Sequence, residues 1–263
     1  MVDRIRTIIN KEWSEVFKHR MVLFTITLMP AIFTILPLVV LYFTRSTSGN
    51  VGDMADMPAQ FSQVCGAISS QDCIQVYLIN QFLLLYMILP LMIPITIAAY
   101  SIVGEKTTRS LEPLLATPIT TIELLAGKIL AAAIPAILAT WGCFAIFLLL
   151  MPAAGATPVV QNHILGPTWL LAVGVIGPLM AVMAVILAVI VSSRVNDPRV
   201  AEQISAILIV PVLVIFFGQI SGFILINLKL ILITIIVLVL VDIGALFLGA
   251  SLFQREKILT KWK

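Results

Sequence analysis

Six apolar stretches, each long enough to cross a bilayer, constrain the fold of this chain more than any other feature. A membrane-spanning helix needs about 20 consecutive apolar residues, and the stretches cover residues 21–43, 77–103, 129–151, 167–191, 204–226 and 230–253. Strands of a membrane barrel are shorter and alternate in hydrophobicity. The sequence therefore predicts an all-α polytopic membrane protein with six transmembrane helices.

The composition argues against a water-soluble fold. Hydrophobic residues make up 60% of the chain and charged residues 11%, against about 45–50% and about 25% in soluble domains. The net charge of +3 is small, and the membrane topology accounts for it. We therefore expect no nucleic-acid partner.

The basic residues predict how the chain is oriented. Of the 16 Lys and Arg residues, 14 lie in residues 1–20, 104–128, 194–203 and the tail 254–263. The opposite connections, including an external loop at 44–76, contain only Arg45 and Lys229. The positive-inside rule then places both termini in the cytoplasm. We expect a multi-pass protein of the cytoplasmic (inner or plasma) membrane.

Residues 1–20 have the pattern of an interfacial amphipathic helix. Apolar residues recur every three or four positions from Val2 to Phe17, with charged residues between them. A signal peptide is excluded because the apolar run that follows has 23 residues and lacks a nearby small-residue cleavage site. Two roles remain open for this helix: an anchor for the first span, or an additional contact with a cytoplasmic partner.

The segment 104–128 is a polar island between two spans. Three leucines spaced for one helical face are Leu111, Leu114 and Leu115. Thr117 before Pro118 is expected to end that short helix. A new helix then begins, because Thr120 and Glu123 form a capping-box pattern. The pattern predicts a short amphipathic helix followed by a turn at the cytoplasmic surface, a structure on which a partner protein could exert force.

The spans contain many residues that disrupt helices. A proline removes one backbone hydrogen bond and kinks the helix unless neighbours compensate. The prolines are Pro30, Pro37, Pro90, Pro94, Pro135, Pro178 and Pro211. Kinked bundles of this kind are typical of mobile transport machinery.

The external loop contains two of the three cysteines, Cys65 and Cys73. A disulfide is permitted outside the membrane, and we expect these two to pair, with two free thiols as the alternative. Cys143 lies inside the third span, where it is expected to be a packing residue. No metal site is expected, because His163 is the only external histidine and structural metal sites usually have four ligands.

Two polar residues inside the spans are candidates for a transport pathway. Asp242 is near the middle of the last span, where an ionised carboxylate costs about 2.5–3.5 kcal/mol on insertion scales. It could serve an ion, proton or substrate path, or it could be a protonated or hydrogen-bonded packing residue. Gln219 lies within a GxxxG match, Gly218 to Gly222, for which close helix packing is expected.

Catalytic patterns are missing from the sequence. The Gly127-Lys128 pair lacks the glycine and the Ser or Thr of a phosphate-binding loop, since Ile122 and Ile129 stand at those positions. No histidine lies within a span, which argues against an intramembrane Ser/His protease. The chain is therefore predicted not to be an enzyme and to hold no cofactor of its own.

Four segments together resemble the type 2 ATP-binding cassette permeases, the half-size membrane subunits of exporter-type transporters. They read KEWSEVFKHR before the first span, GEKTTRSLEPLLATPITTIELLAGK after the second, SSRVNDPRVAEQIS before the fifth and FQREKIL after the sixth. The pairs that match the family pattern are Glu105-Lys106, Leu111-Glu112, Leu114-Leu115, Thr117-Pro118 and Gly127-Lys128. Arg109-Ser110 stands where the family usually has Gly-Thr.

The resemblance implies an ABC type 2 permease fold and a coupling helix docked on a separate ATPase. The residues it assigns to coupling are Glu105, Lys106, Arg109, Leu111, Glu112, Leu114 and Leu115. ATP and Mg²⁺ would be bound by the ATPase subunits, and the permease would pair with a second copy or a paralogue. Spans two and five would line the pathway.

Two other functions remain open at this point. One is a secondary transporter or channel driven by an ion gradient and coupled through Asp242. The other is a membrane assembly subunit without transport. The spans show no aromatic cage, acidic cluster or basic funnel that would select a substrate.

Overall fold

The described residues of the computed structural model, 2–18, 20–46, 68–107 and 120–252, form an all-helical membrane protein. Within these ranges six helices are long and apolar enough to cross a membrane. They are Val22–Arg45, Ser70–Glu105, Ile122–Ala154, Pro158–Ser192, Pro198–Ile220 and Leu228–Gly249. The predicted fold class is confirmed.

Several spans are built from more than one helical piece. In chain order the α-helices are α1 Val2–Val16, α2 Arg20–Ser46, α3 Ser70–Tyr86, α4 Leu89–Thr107, α5 Thr121–Ala154, α6 Pro158–Ile164, α7 Pro167–Leu171, α8 Gly177–Ser192, α9 Pro198–Ser205, α10 Ile209–Ile220 and α11 Leu228–Leu252. A π-helical turn, Ala172–Ile176, joins α7 to α8, and a 3₁₀ turn, Ala206–Leu208, joins α9 to α10.

The second and fourth spans form the centre of the bundle. In their most apolar windows 78% and 56% of the residues are buried, against 11% in the sixth span. Helix α8 packs on α4, α5 and α11, and α5 packs on α2. The outer spans therefore present apolar side chains to the hydrocarbon or to a partner in the membrane.

Three of the prolines coincide with interruptions of the helices. The interruptions are Met87–Ile88 before Pro90, Ala172–Ile176 before Pro178 and Ala206–Leu208 before Pro211. Proline has no N–H to bond the carbonyl four residues earlier. Those carbonyls belong to Tyr86, Gly174 and Ile207, each within or beside an irregular turn. Pro30, Pro37, Pro94 and Pro135 lie inside continuous helices.

The fifth span ends six residues earlier than its apolar run, and the expectation of close helix packing at Gly218 and Gly222 is wrong. Helix α10 ends at Ile220, and Gly222 has φ +76°, a conformation that favours glycine. The Ile224 N–H bonds the Gly218 carbonyl at 3.0 Å. The Ile224 side chain leaves no room for a Cβ at residue 218, where a Cβ would lie 2.6 Å from Ile224 Cδ1. The two glycines therefore end the helix.

At the end of the bundle opposite α1, polar side chains join the second and fourth spans. Ser69 caps α3, and Thr157 donates a hydrogen bond to Asp72 Oδ1 at 2.6 Å. Deeper in, Trp169 Nε1 donates to Asn80 Oδ1 at 2.8 Å. These bonds hold the two central spans together where their helices begin.

The structure describes two of the three cysteines. Cys73 is buried and disulfide-bonded. Cys143 carries a free thiol among apolar neighbours, as expected for a packing residue. Cys65 lies outside the described residues, so its pairing with Cys73 stays a prediction.

Candidate functional site

Helix α1 lies against both helices that flank the predicted coupling segment. Helix α4 ends at Thr107 and α5 begins at Thr121, and α1 contacts each of them. Its apolar face is buried, with Ile8 and Val16 at 5% and 3% exposure. The N-terminal helix is therefore docked on protein along this face.

A group of charged and polar side chains, three of them buried, joins these three helices. We call it the charge cluster, and it consists of Lys11, Glu12, Ser101, Glu105 and Lys128. Lys128 Nζ lies 2.8 Å from Glu12 Oε1 and 2.7 Å from Glu105 Oε2. Lys11 Nζ lies 2.6 Å from Glu105 Oε1. The side chains of Lys128, Glu12 and Glu105 are 4%, 5% and 3% exposed.

Ser101 completes the charge cluster. Its hydroxyl accepts a hydrogen bond from Lys128 Nζ at 3.0 Å and donates a short one to Glu12 Oε2. Two lysines and two glutamates give the group no net formal charge. Burying an ion costs several kcal/mol unless it is paired in good geometry. Lys128, Glu12 and Glu105 therefore depend on one another, and the cluster is expected to hold α1, α4 and α5 in one relative position.

The predicted capping box at the start of α5 is confirmed. The Glu123 N–H donates to Thr120 Oγ1 at 3.2 Å, and the Thr120 N–H donates to Glu123 Oε2 at 2.9 Å. Arg4 of α1 lies 3.5 Å from the same carboxylate. Because half of the Arg4 side chain is exposed, this ion pair contributes little to stability. It nevertheless extends the contact of α1 to the first turn of α5.

Two close contacts complete the docking of α1 on α5. Trp13 Nε1 donates a hydrogen bond to the Ala131 carbonyl at 2.8 Å. A Cβ placed on Gly127 would lie 2.7 Å from Ile8 Cγ2, which is closer than carbon atoms approach. Glycine at this position therefore lets the two helices approach each other.

Replacing Gly127 with valine should push α1 away from α5. We expect the variant to lose about 1–3 kcal/mol of stability, the usual effect of overpacking, measured as a lower melting temperature of the purified protein. Gly142→Val in the same helix is the matched control, because nothing lies within 4 Å of a Cβ there. Equal melting temperatures for the two variants would contradict the contact.

The structure describes only part of the predicted coupling set. Glu105, which the resemblance assigns to coupling, does not project from the surface, because its carboxylate is buried in the charge cluster. Lys106 follows it in α4. The remaining residues, Arg109, Leu111, Glu112, Leu114 and Leu115, lie outside the described residues. Their roles stay predictions.

The partners of Glu105 were not predicted from the sequence. One signal was present: Glu12 stands four residues after Ile8 and four before Val16, on the buried face of an amphipathic helix. A charge at such a position needs a buried partner of opposite sign. The second signal was Lys128, a basic residue close to the start of the apolar run of the third span.

Asp242 and Gln219 are both buried. Asp242 is 5% exposed and lies on the inward stripe of α11, in line with Leu238 and Gly249. Within the described part of the chain neither of its carboxylate oxygens has a hydrogen-bond partner. The same holds for Oε1 of Gln219, which is 2% exposed. The described residues thus offer no support for a hydrogen-bonded packing role of Asp242.

Comparison with known families decides the class of this protein. A model described as ABC-2 family transporter protein matches residues 6–235. This chain belongs to that family. The match includes α1 from Arg6 onward, every member of the charge cluster and the whole segment 104–128, whereas Asp242 lies beyond it. No curated protein matches the chain.

Membership establishes the broad role. The chain is an ABC type 2 permease, a multi-pass membrane component of a transporter. Within the described ranges no three His, Cys, Asp or Glu side chains stand close enough to hold one metal ion. Glu105 of α4 and Lys128 of α5 lie on either side of the segment that joins these two helices, so the charge cluster fixes both ends of that segment.

Proposed function

We propose that this chain is the membrane subunit of an ATP-driven exporter and that a separate ATPase docks on residues 104–128. One observation carries the proposal most directly. The charge cluster ties α1 to the two helices on either side of that segment. A force applied to the segment would therefore act on three helices together.

The packing of α4 suggests how the force would reach the membrane. Helix α4 packs on α8, and α8 packs on α5 and α11. The interruptions before Pro90, Pro178 and Pro211 lie along the second, fourth and fifth spans. Irregular turns absorb changes in backbone angle more readily than continuous helix. Movement of α1, α4 and α5 as one unit would bend the spans at these turns and alternately expose a central pathway.

The other subunits of the transporter would be separate chains. ATP and Mg²⁺ would be bound by the ATPase subunits, and a second permease copy or a paralogue would supply the other half of the pathway. The largely exposed apolar faces of the first, fifth and sixth spans are compatible with such a partner in the membrane. We propose the cytoplasmic membrane as the location, with both termini inside.

A second function is favoured by Asp242. Its buried carboxylate without a partner among the described residues is the feature expected of a proton- or cation-coupled carrier. In that case transport would follow an ion gradient and would need no ATPase.

Co-expression with a candidate ABC ATPase tests the first function against the second. We expect the tagged permease to co-purify with the ATPase. In reconstituted vesicles the permease should change the rate of ATP hydrolysis, and replacing the phosphate-loop lysine of the ATPase should abolish it. A permease that binds no such ATPase but carries a proton or sodium flux abolished by Asp242→Asn would overturn the proposal in favour of the second function.

The proposed orientation can be measured with single cysteines. Asn162→Cys, in the exposed end of α6, should react with an impermeant thiol reagent added outside intact cells. Asn10→Cys, on the exposed face of α1, should react only after the membrane is broken. Both should be made in a background in which Cys65, Cys73 and Cys143 are replaced by serine, so that the introduced cysteine is the only one. The reverse labelling pattern would invert the topology.

A further inference from the structure

An apolar cleft of about 440 Å³ lies between the central spans and the last two spans. This volume is within the range of about 300–1,000 Å³ that is usual for small-molecule pockets. All three helix interruptions contribute to its wall, through Met87, Ile176 and Leu208. The opposite wall is α11, including Val237 and Val241.

The lining of the cleft suits a hydrocarbon ligand. Only two of its side chains carry a polar group, those of Trp169 and Thr234. Trp169 Nε1 donates to Asn80 Oδ1 at 2.8 Å, and Thr234 Oγ1 donates to the Leu230 carbonyl at 2.9 Å. Both groups are therefore already engaged within the chain. A polar ligand would lose its hydrogen bonds on entering.

The cleft has the depth of one membrane leaflet. Its wall on α11 runs from Leu230 to Val241, which is about 16 Å at 1.5 Å per residue. The hydrocarbon core of a bilayer is about 30 Å thick. Helix α11 begins at Leu228, at the end of the bundle opposite α1. The cleft therefore reaches from that surface to about the middle of the membrane.

The cleft opens sideways towards the bilayer. Two of its lining side chains, Ile233 and Val237, are 49% and 51% exposed, so the described helices do not enclose the cleft along α11. Protein interiors rarely keep voids larger than a water molecule. We therefore expect lipid acyl chains of the bilayer to fill the open cleft, because they gain dispersion contacts with its walls.

A basic residue, Lys229, lies at the end of α11 where the cleft begins. Lys229 is exposed, next to Leu230 and four residues before Ile233, so it shares a helix face with a lining residue. We propose that the cleft binds one acyl chain of an anionic phospholipid from the leaflet opposite α1, with the headgroup beside Lys229. Because the walls include all three interruptions, the bound chain would favour the arrangement of the spans seen here.

Quenching of Trp169 by brominated lipid tests the acyl-chain site. Trp169 is 2% exposed, so lipid outside the bundle does not reach it. The protein would carry Trp169 as its sole tryptophan, with Trp13, Trp141 and Trp262 replaced by phenylalanine. In vesicles of phospholipid brominated midway along the acyl chain, we expect Trp169 to lose most of its emission relative to unbrominated vesicles. If this variant does not fold, the quenching of Trp169 is obtained by subtracting the emission that Trp169→Phe loses in brominated vesicles from the emission that wild type loses.

A pair of valine substitutions makes the test specific. Val237→Phe fills the cleft and should restore the emission. Val239→Phe, two residues along the same helix and outside the lining, should leave the quenching unchanged. Unquenched Trp169 in the parent protein, or equal quenching in both variants, would overturn the proposal. If Trp169 is unquenched and Val237→Cys forms a disulfide between two copies, a second protomer fills the cleft instead.

The headgroup is tested by comparing two brominated lipids. Phosphatidylglycerol should quench Trp169 at about fivefold lower mole fraction than phosphatidylcholine, the ratio expected for one cation near a lipid surface. Lys229→Gln should remove this preference without abolishing quenching. Equal quenching by the two lipids in the unsubstituted protein would overturn the role of Lys229.

Discussion

Replacing Lys128 with methionine is expected to destabilise the protein by about 3–5 kcal/mol, the range measured when one partner of a buried ion pair is removed. Methionine keeps most of the volume of the lysine but not its charge. Glu12 and Glu105 would then remain buried with only Lys11 to neutralise them. We expect α1 to detach from α4 and α5 and the melting temperature of the purified protein to fall.

Two further variants separate the charge effect from a loss of packing. Lys11→Met is the matched control: Lys11 is 34% exposed and Glu105 would keep Lys128 as a partner, so the loss should stay below about 1 kcal/mol. The triple variant Lys128→Met, Glu12→Gln, Glu105→Gln removes every charge of the cluster except that of the partly exposed Lys11. It should recover most of the stability. A triple variant as unstable as Lys128→Met would mean that shape, not charge, holds the cluster.

The local features of this fold were predictable from the sequence. The apolar runs gave the spans, because a membrane helix must satisfy its backbone within about 20 apolar residues. Thr120 and Glu123 gave the start of α5, because a capping box involves residues only three apart. Of the seven prolines considered, only Pro90, Pro178 and Pro211 coincide with interruptions, so the loss of one backbone hydrogen bond did not by itself locate the irregular turns.

The charge cluster was not predictable in the same way. Lys11 and Glu105 are 94 residues apart, and Lys128 and Glu12 are 116 apart. Such pairs form only when α1 docks on the bundle, and the sequence does not state where it docks. Glu12 on an apolar face indicated that a buried partner exists. It did not indicate which of the many basic residues that partner is.

The spacing of Gly218 and Gly222 is found both in closely packed membrane helices and at the end of a helix. Two glycines four apart permit close packing of membrane helices. The same spacing arises when a glycine near the end of a helix is followed by one with positive φ just beyond it. The apolar run continued to residue 226 and concealed the end of α10 at Ile220. The acyl-chain cleft has no sequence pattern, because its walls come from four spans.

Reversing the charge of Glu112 is expected to uncouple the permease from its ATPase while leaving the fold intact. In the proposed function Glu112 belongs to the surface on which the ATPase docks. A like-charge contact in an interface costs about 2–5 kcal/mol, so Glu112→Lys should weaken ATPase binding by more than about tenfold. Since the change lies outside the charge cluster, the melting temperature of the permease alone should stay at the wild-type value.

The contrast with Glu105 makes this prediction specific. Glu105→Gln leaves Lys11 and Lys128 with one fewer carboxylate in a buried site and should lower the melting temperature. Glu202→Lys, a charge reversal in α9 on the same side of the bundle, is the control for a general change in surface charge. Binding is measured by titrating purified ATPase onto reconstituted permease. If Glu112→Lys binds as tightly as wild type, or no more weakly than Glu202→Lys, Glu112 does not belong to the docking surface.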